Sequence, residues 1–182
     1  MNKTLLIGFS SLLALALVGA GCQSTTKTPP TGSSPTSTTS DASCPTVTDL
    51  TRALRTPETV CSLDVSNQNR TGALPAEIRR LTNLKALDAS KNNMTGIPAE
   101  IGQLQNLSSL NYSFNKLDTM PDEIANLKNL KVLSLAHNNY KQPPSSVLKL
   151  TQLQILDLTG NPISSDEIGR IKELLPRTVV RF

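Results

Sequence analysis

Residues 84–104 read LKALDASKNNMTGIPAEIGQL, and this stretch decides the fold because the chain repeats its pattern. Residues 107–127 read LSSLNYSFNKLDTMPDEIANL, and residues 130–150 read LKVLSLAHNNYKQPPSSVLKL. The pattern opens once more over residues 153–161 as LQILDLTGN. Each copy begins 23 residues after the previous one. A fixed period of this length indicates a solenoid of stacked repeats.

Within each copy the apolar residues change their spacing. The first part alternates, as in Leu87 and Ala89, and this period of two predicts one short strand per repeat. Later apolar positions are spaced by four and three, which predicts a turn of helix or a 3₁₀ segment on the opposite wall. A proline such as Pro98 stands where the first helical residue is expected. Since no repeat can bury its leucines alone, stacked neighbours must share one core.

The pattern L-x-x-L-x-L-x-x-N-x-L-x-x-L-P-x-x-I-x-x-L resembles the leucine-rich repeat in its short, 23-residue form. The resemblance covers about residues 58–176. It implies an α/β solenoid, a leucine-rich repeat horseshoe of about five repeats with parallel β-strands on its concave face. Short helical or 3₁₀ segments would line the convex side, with a cap at each end. The first repeat departs from the pattern, since Gln68 replaces the asparagine and residues 71–75 add one position, as in plant-type repeats.

An asparagine recurs at the end of the strand segment in four repeats. A polar residue at a fixed place in an apolar pattern needs a partner, and a side-chain amide at a turn can bond backbone groups of the neighbouring coil. We interpret these residues as a structural ladder without a ligand role. They are Asn92, Asn115, Asn138 and Asn161.

The N-terminus is typical of a bacterial lipoprotein. Lys3, the apolar residues 5–18 and the small residues 19–21 predict a signal peptide over residues 1–21. The cysteine that follows resembles a lipobox, which implies lipid attachment at Cys22; ordinary secretion is the alternative. By analogy with enteric bacteria, Gln23 after Cys22 favours the outer membrane, or the outer face of the cell membrane in a host with one membrane. Residues 22–43 are rich in Ser, Thr and Pro, which predicts a lipid-anchored disordered tether.

The cysteine count supports lipid attachment. Three cysteines leave an odd thiol in an exported protein unless Cys22 is modified. Cys44 and Cys61 then form a natural disulfide pair in an oxidising compartment, with free thiols as the alternative. Two cysteines and the distant His137 do not make a four-ligand set, so we expect no metal and no cofactor.

We divide the rest of the chain into an N-terminal cap at residues 44–59, repeats at 60–163 and a C-terminal cap at 164–182. Residues 49–54 predict a short helix over the edge of the core. A second helix is expected after Ser164 and Ser165, with its apolar residues buried, until Pro176 stops it. Residues 178–182 then predict a final strand with Val180 and Phe182 inward. Both ends would be capped, so we expect a complete chain.

The concave face would display three rows of variable side chains. One row is Asp64, Asp88, Asn111, Ser134 and Asp157; a second is Ser66, Ser90, Ser113, Ala136 and Thr159; the third, at the edge, is Asn67, Lys91, Phe114, His137 and Gly160. We predict a protein- or peptide-binding strip in which Phe114 is the aromatic anchor. The alternative is that these are solvated residues without a ligand. The predicted partner-binding residues are Asp64, Asp88, Lys91, Asn111, Phe114, Ser134, His137 and Asp157.

Other function classes have little support. One histidine, no free nucleophilic cysteine and no phosphate-binding loop argue against an enzyme, so no catalytic residue is proposed. The net charge of +4 is modest and the lysines are interspersed with acids, which argues against nucleic acid as a partner. We therefore expect a monomeric binding module at the bacterial cell envelope. The alternative is a structural or surface envelope lipoprotein without a specific ligand.

Overall fold

A computed structural model describes residues 44–182, which are built mainly from short parallel strands. In chain order the strands are β1 (Thr46–Val47), β2 (Ser62–Asp64), β3 (Thr71–Gly72), β4 (Ala86–Asp88), β5 (Asn93–Met94), β6 (Ser109–Asn111), β7 (Val132–Ser134), β8 (Ile155–Asp157) and β9 (Val179–Arg181). Seven of them form one parallel sheet in the order β1-β2-β4-β6-β7-β8-β9, and β3 pairs with β5 in a second, two-stranded sheet. The predicted signal peptide, Cys22 and the tether lie outside the described residues.

The repeated leucines explain the register of the large sheet. Each strand from β2 to β8 in that sheet places its central leucine beside the leucine of the next, in the series Leu63, Leu87, Leu110, Leu133 and Leu156. None of these five side chains is more than 1% exposed. The residues on both sides of each leucine are half-buried on the opposite face. The prediction of one short strand per repeat is confirmed.

Helical segments lie on the other side of the core. The α-helices are α1 (Leu50–Arg55), α2 (Ser145–Leu148) and α3 (Ser165–Leu174), and the 3₁₀ segments are Pro57–Thr59, Ala76–Arg80, Ala99–Gln103 and Asp122–Asn126. The position predicted for the repeat prolines was wrong by one residue. Pro98 has extended ψ of 140° and precedes the first helical residue, because its carbonyl accepts the first 3₁₀ bond, from the Ile101 N–H.

One glycine allows two of these segments to approach closely. Gly102, in the segment Ala99–Gln103, is buried, and a Cβ atom built on it would collide with the backbone carbonyl of Glu123 in the next segment. Glycine is required here for space, not for an unusual backbone angle. The distance between these two coils therefore depends on one missing methyl group.

The predicted asparagine ladder is confirmed in full hydrogen-bonding detail. In each case the side-chain oxygen accepts a backbone N–H from the preceding coil, and the side-chain NH₂ donates to backbone carbonyls. Asn115 Oδ1, for example, accepts the Met94 N–H at 2.9 Å, while its Nδ2 donates to the Ala89 and Tyr112 carbonyls at 3.0 and 3.1 Å. Asn92 and Asn138 are also buried. These amides satisfy backbone groups that water cannot reach.

A second row of amides joins the same coils and was not predicted. Its side chains precede the strands by three residues and each donates to a carbonyl of the preceding coil. The bonds are Asn83 to Glu58 (2.7 Å), Asn106 to Thr82 (2.8 Å), Asn129 to Gln105 (2.8 Å) and Gln152 to Leu127 (2.8 Å). The signal was present in the sequence, because these positions also recur every 23 residues.

Two tyrosines fill the core beside the ladder. Tyr112 takes the place that Leu135 has in the next strand, and both Tyr112 and Tyr140 are fully buried. The Tyr140 hydroxyl donates to the Thr119 carbonyl at 3.1 Å, whereas the Tyr112 hydroxyl has no hydrogen-bond partner in residues 44–182. Burial raises the pKa of both phenols well above their usual value, with smaller contributions from Tyr140 on Tyr112 and from Asp118 on Tyr140.

The N-terminal end of the described chain is held by a helix and a disulfide. The Asp49 side chain accepts the backbone N–H groups of Thr51 and Arg52 and so begins α1, which buries Leu50 and Ala53. A disulfide joins Cys44 and Cys61, whose Cα atoms are 5.8 Å apart. The expected pairing is thus present in the structure.

The C-terminal end differs from the prediction in two side chains. Helix α3 and strand β9 form as expected, with Ser164 accepting the Glu167 N–H. Ile171 and Leu175 are buried, but Leu174 is 46% exposed and Phe182 is 37% exposed. Phe182 follows the last strand residue and lies 5.8 Å from the Lys172 ammonium instead of in the core. None of the helices in residues 44–182 is long and apolar enough to cross a bilayer.

Candidate functional site: the concave face

The concave face is the side of the seven-stranded sheet that faces away from the leucine core. The predicted first row lies there in register, one side chain per neighbouring strand and each half-buried: Asp64, Asp88, Asn111, Ser134 and Asp157. Four of these five side chains also have a structural task. Each uses Oδ1 to accept the backbone N–H two residues later, at 2.8 to 3.0 Å. This Asx-type contact turns the chain off the strand.

The remaining carboxylate oxygens are not equivalent. Asp88 Oδ2 accepts a bond from the Asn111 amide at 3.0 Å, which ties two neighbouring strands together. Asp64 Oδ2 and Asp157 Oδ2 have no hydrogen-bond partner in the part of the chain that the structure describes. Asp157 lies beside Arg181 in the register of β8 and β9, whereas Asp64 lies beside Asp88. Negative charge is therefore concentrated at the N-terminal end of the face.

The second predicted row does not project from the face. Ser90, Ser113 and Ala136 are 5%, 8% and 5% exposed. The alternation of a strand would have turned these residues outward, but the chain bends away at this point because the Asx-type contact captures their backbone N–H groups. This row belongs to the scaffold, not to a display surface.

A different row replaces it and was missed. It lies at the first residue of each strand and changes along the sheet from small and polar to apolar: Ser62, Ala86, Ser109, Val132, Ile155 and Val179. Val132 and Ile155 are half-buried, and Val179 is 59% exposed. The signal was the period of two itself, which directs the residue before each central leucine to the same face as the residue after it.

The third predicted row has an unusual backbone. All five of its residues have a positive φ: Asn67 (53°), Lys91 (54°), Phe114 (55°), His137 (52°) and Gly160 (71°). This left-handed conformation costs a residue with a side chain about 1–2 kcal/mol, and it is rare for an aromatic residue. The repeat geometry holds the backbone there, since the Phe114 N–H donates to the Ala136 carbonyl at 2.8 Å and the His137 N–H to the Thr159 carbonyl at 2.7 Å.

Two of these side chains form an exposed aromatic stack. The rings of Phe114 and His137 lie 4.2 Å apart at an angle of 20°. Beyond His137, a Cβ atom on Gly160 would lie only 2.5 Å from His137 Nδ1, so glycine leaves the space in which the imidazole rests. Phe114 is nevertheless 48% exposed. The stack therefore presents a fixed apolar surface at the edge of the concave face.

A hollow of about 380 Å³ lies over the N-terminal part of this face. Its lining includes Asp64, Asp88, Asn111, Ser134 and Val132, so it brings four of the predicted binding residues together. Lys91, Phe114 and His137 do not line it and stand along the edge. No three His, Cys, Asp or Glu side chains cluster as metal ligands within residues 44–182.

The repeats themselves match a known family. Residues 105–163 match the family described as leucine rich repeat. These residues form leucine-rich repeats. A search of curated proteins gave no match to the chain.

Solved leucine-rich repeat structures resemble the whole described region. A leucine-rich repeat protein of Leptospira interrogans is 33% identical with a TM-score of 0.63, over 75% of this chain and 35% of that one. A plant peptide hormone receptor, solved in complex with RGF2, is 31% identical with a TM-score of 0.58, over 75% and 22% of the two chains. An internalin of Listeria monocytogenes shares the fold at 18% identity, with a TM-score of 0.58 over 74% and 38%. This leucine-rich repeat chain therefore spans little more than a third of either bacterial protein.

Proposed function

We propose that the protein is a non-catalytic binding module that holds another protein or a peptide against its concave face. The observation that carries the proposal is the Phe114–His137 stack. Two aromatic rings stand exposed on left-handed backbone beside a hollow, at a cost in strain and in apolar exposure. Strain of this kind is often found at binding sites, and exposed aromatic residues often supply interface energy.

The likeness to a receptor solved with a bound hormone supports the same class of function. The sheet sets the size of the ligand. Five strands about 4.8 Å apart span only about 20 Å, which suits a short segment or a small epitope. The proposed contacts are the first row (Asp64, Asp88, Asn111, Ser134 and Asp157) with Lys91, Phe114 and His137 at the edge.

The proposal includes an address. A lipid on Cys22 anchors the protein at the bacterial cell envelope, with the outer membrane favoured by Gln23, and residues 23–43 act as the tether. The sequence of the first 22 residues supports this, as does the pairing of Cys44 with Cys61, which leaves Cys22 without a cysteine partner among the three. In a Cys22→Ser variant, incorporation of an alkyne-labelled fatty acid should disappear, whereas a Cys44→Ser/Cys61→Ser variant should keep the label. A labelled Cys22→Ser protein would refute the anchor.

The binding site can be tested with a photo-crosslinking amino acid in the full chain in its host. Incorporation at position 114 should give discrete crosslinked products, and incorporation at the exposed Gln103 on the helical side should not. Replacing Asp88, Lys91 and His137 together should remove the products from position 114. Replacing Arg80, Lys128 and Lys149 is the matched control.

A structural envelope protein without a specific ligand is the second candidate. It predicts no discrete products at position 114, or products that survive the triple replacement. Either result would exclude the concave face as the site of partner recognition.

A further inference from the structure

The concave face is divided along its length, and this division indicates which peptides fit it. At the N-terminal end, Asp64 and Asp88 lie on neighbouring strands beside the hollow. At the C-terminal end, Val132, Ile155 and Val179 form an apolar stripe on three neighbouring strands. We propose, on the basis of the function proposed above, that the face binds an extended peptide segment that carries a Lys or Arg and, four to five residues away, an aliphatic side chain.

Charge decides which end receives the cation. The face carries three carboxylates, but Arg181 offsets that of Asp157 in the adjacent strand. No cationic side chain lines the hollow beside Asp64 and Asp88. The hollow of about 380 Å³ is roomy enough for the head of a Lys or Arg side chain, and its polar lining of Ser, Thr and Asn residues can share hydrogen bonds with it. A basic side chain is thus complementary in both charge and hydrogen bonding.

The spacing follows from the sheet. From the middle of the β2–β4 pair to the middle of the β7–β8 pair is three strand spacings, or about 14 Å. The acidic row also lies two residues further along each strand than the apolar row, which adds about 6.6 Å at right angles. The diagonal is about 16 Å, and an extended peptide covers this distance in about five residues at 3.3 Å each.

The chain offers matched variants for a test. Asp64→Asn removes the charge but keeps an oxygen for the Ser66 N–H, and Asn111 already makes the equivalent contact two strands away. Asp157→Asn removes the same charge from the same kind of turn at the other end of the face. Val132→Thr keeps the shape of the side chain and replaces an apolar surface by a hydroxyl.

The experiment selects random twelve-residue peptides on the full chain by phage display and then measures their binding as synthetic peptides. We expect enriched peptides with a Lys or Arg four to five residues from a Leu, Ile or Val. Asp64→Asn should weaken their binding about fivefold, and the effect should fade in 0.5 M salt. Val132→Thr should weaken it about fourfold. Asp157→Asn should leave binding unchanged.

Three results would overturn the inference. Enriched peptides without a basic residue, or with equal sensitivity to Asp64→Asn and Asp157→Asn, would show that the acidic end does not select the ligand. If such peptides still lose binding when Phe114 is replaced by Ser, the binding function stands and only the proposed ligand chemistry fails. If no peptide is enriched, or none depends on any residue of the face, both proposals fail.

Discussion

Asn138→Ala should destabilise the fold by an amount that the structure allows us to work out. Asn138 Oδ1 accepts the buried Leu117 N–H at 3.0 Å, and its Nδ2 donates to three carbonyls. Each of those carbonyls keeps another donor in the variant: the Asn115 amide, the Asn161 amide and the Phe114 N–H. Only the Leu117 N–H is left without a partner. One buried unsatisfied N–H costs about 1–3 kcal/mol, so we expect a loss of about 2 kcal/mol.

The assay is chemical and thermal unfolding of the full chain, with Asn139→Ala as the control. Asn139 is the next residue, is exposed, and its side chain makes no hydrogen bond within residues 44–182. At about 4 °C per kcal/mol for a domain of this size, Asn138→Ala should lower Tm by about 8 °C and Asn139→Ala by less than about 2 °C.

Amide hydrogen exchange provides an independent readout of the cause. In Asn138→Ala the Leu117 amide should lose more protection than the Leu135 amide, which bonds the Asp157 carbonyl in both proteins. Equal losses at Leu117 and Leu135 would indicate general loosening. Equal Tm values for the two alanine variants would refute the reasoning, because the amide would then contribute nothing beyond its surface.

Three further predictions concern other parts of the scaffold. Gly102→Ala should lower the free energy of unfolding by about 2 kcal/mol because its Cβ meets the Glu123 carbonyl, whereas Gly169→Ala, with open space in α3, should raise it by about 0.5 to 1 kcal/mol; a similar effect from both in urea unfolding would contradict the close approach. Replacing Cys44 and Cys61 together by Ala should cost about 3 kcal/mol for a sequence separation of 17, and two thiols that alkylate without reductant would contradict the bridge. Because burial raises the pKa of Tyr112 and Tyr140 in the folded state, the unfolded chain ionises first, and stability should fall above about pH 10 by up to about 1.4 kcal/mol per pH unit for each tyrosine. Tyr112→Phe should reduce that slope and cost little at pH 7, since its hydroxyl is unpaired within the described residues; an unchanged slope would refute the assignment.

The sequence predicted the scaffold well because its signals are local and repeated. The period of two around each leucine predicts the strands, and a polar residue at a fixed place such as Asn115 predicts a backbone contact wherever the coils stack. The site was harder, because the turn after each strand depends on a contact between Asp88 and the Ser90 N–H that overrides simple alternation. This contact buried one expected row.

Two features of the site could not be read from the sequence. The left-handed backbone at Phe114 and His137 occurs at residue types that rarely adopt it, so no propensity indicates it. The stack between them depends on the absence of a side chain at Gly160, 23 residues beyond His137, which becomes a neighbour only when the coils stack. Phe182 was misjudged because alternation gives a direction for a side chain but does not guarantee a partner to cover it.

The Cys44–Cys61 bridge has a mechanical consequence. Any pull on the chain before Cys44 passes through the sulfur atoms directly to Cys61, at the threshold of β2, and bypasses residues 45–60. Helix α1 and the short strand β1 therefore carry none of the tension, although they are the first elements along the chain. The load enters the sheet at its second strand, where Leu63 is held between neighbours on both sides. Reduction would move the point of attack outward to β1, which has a neighbour on one side only and would peel away first.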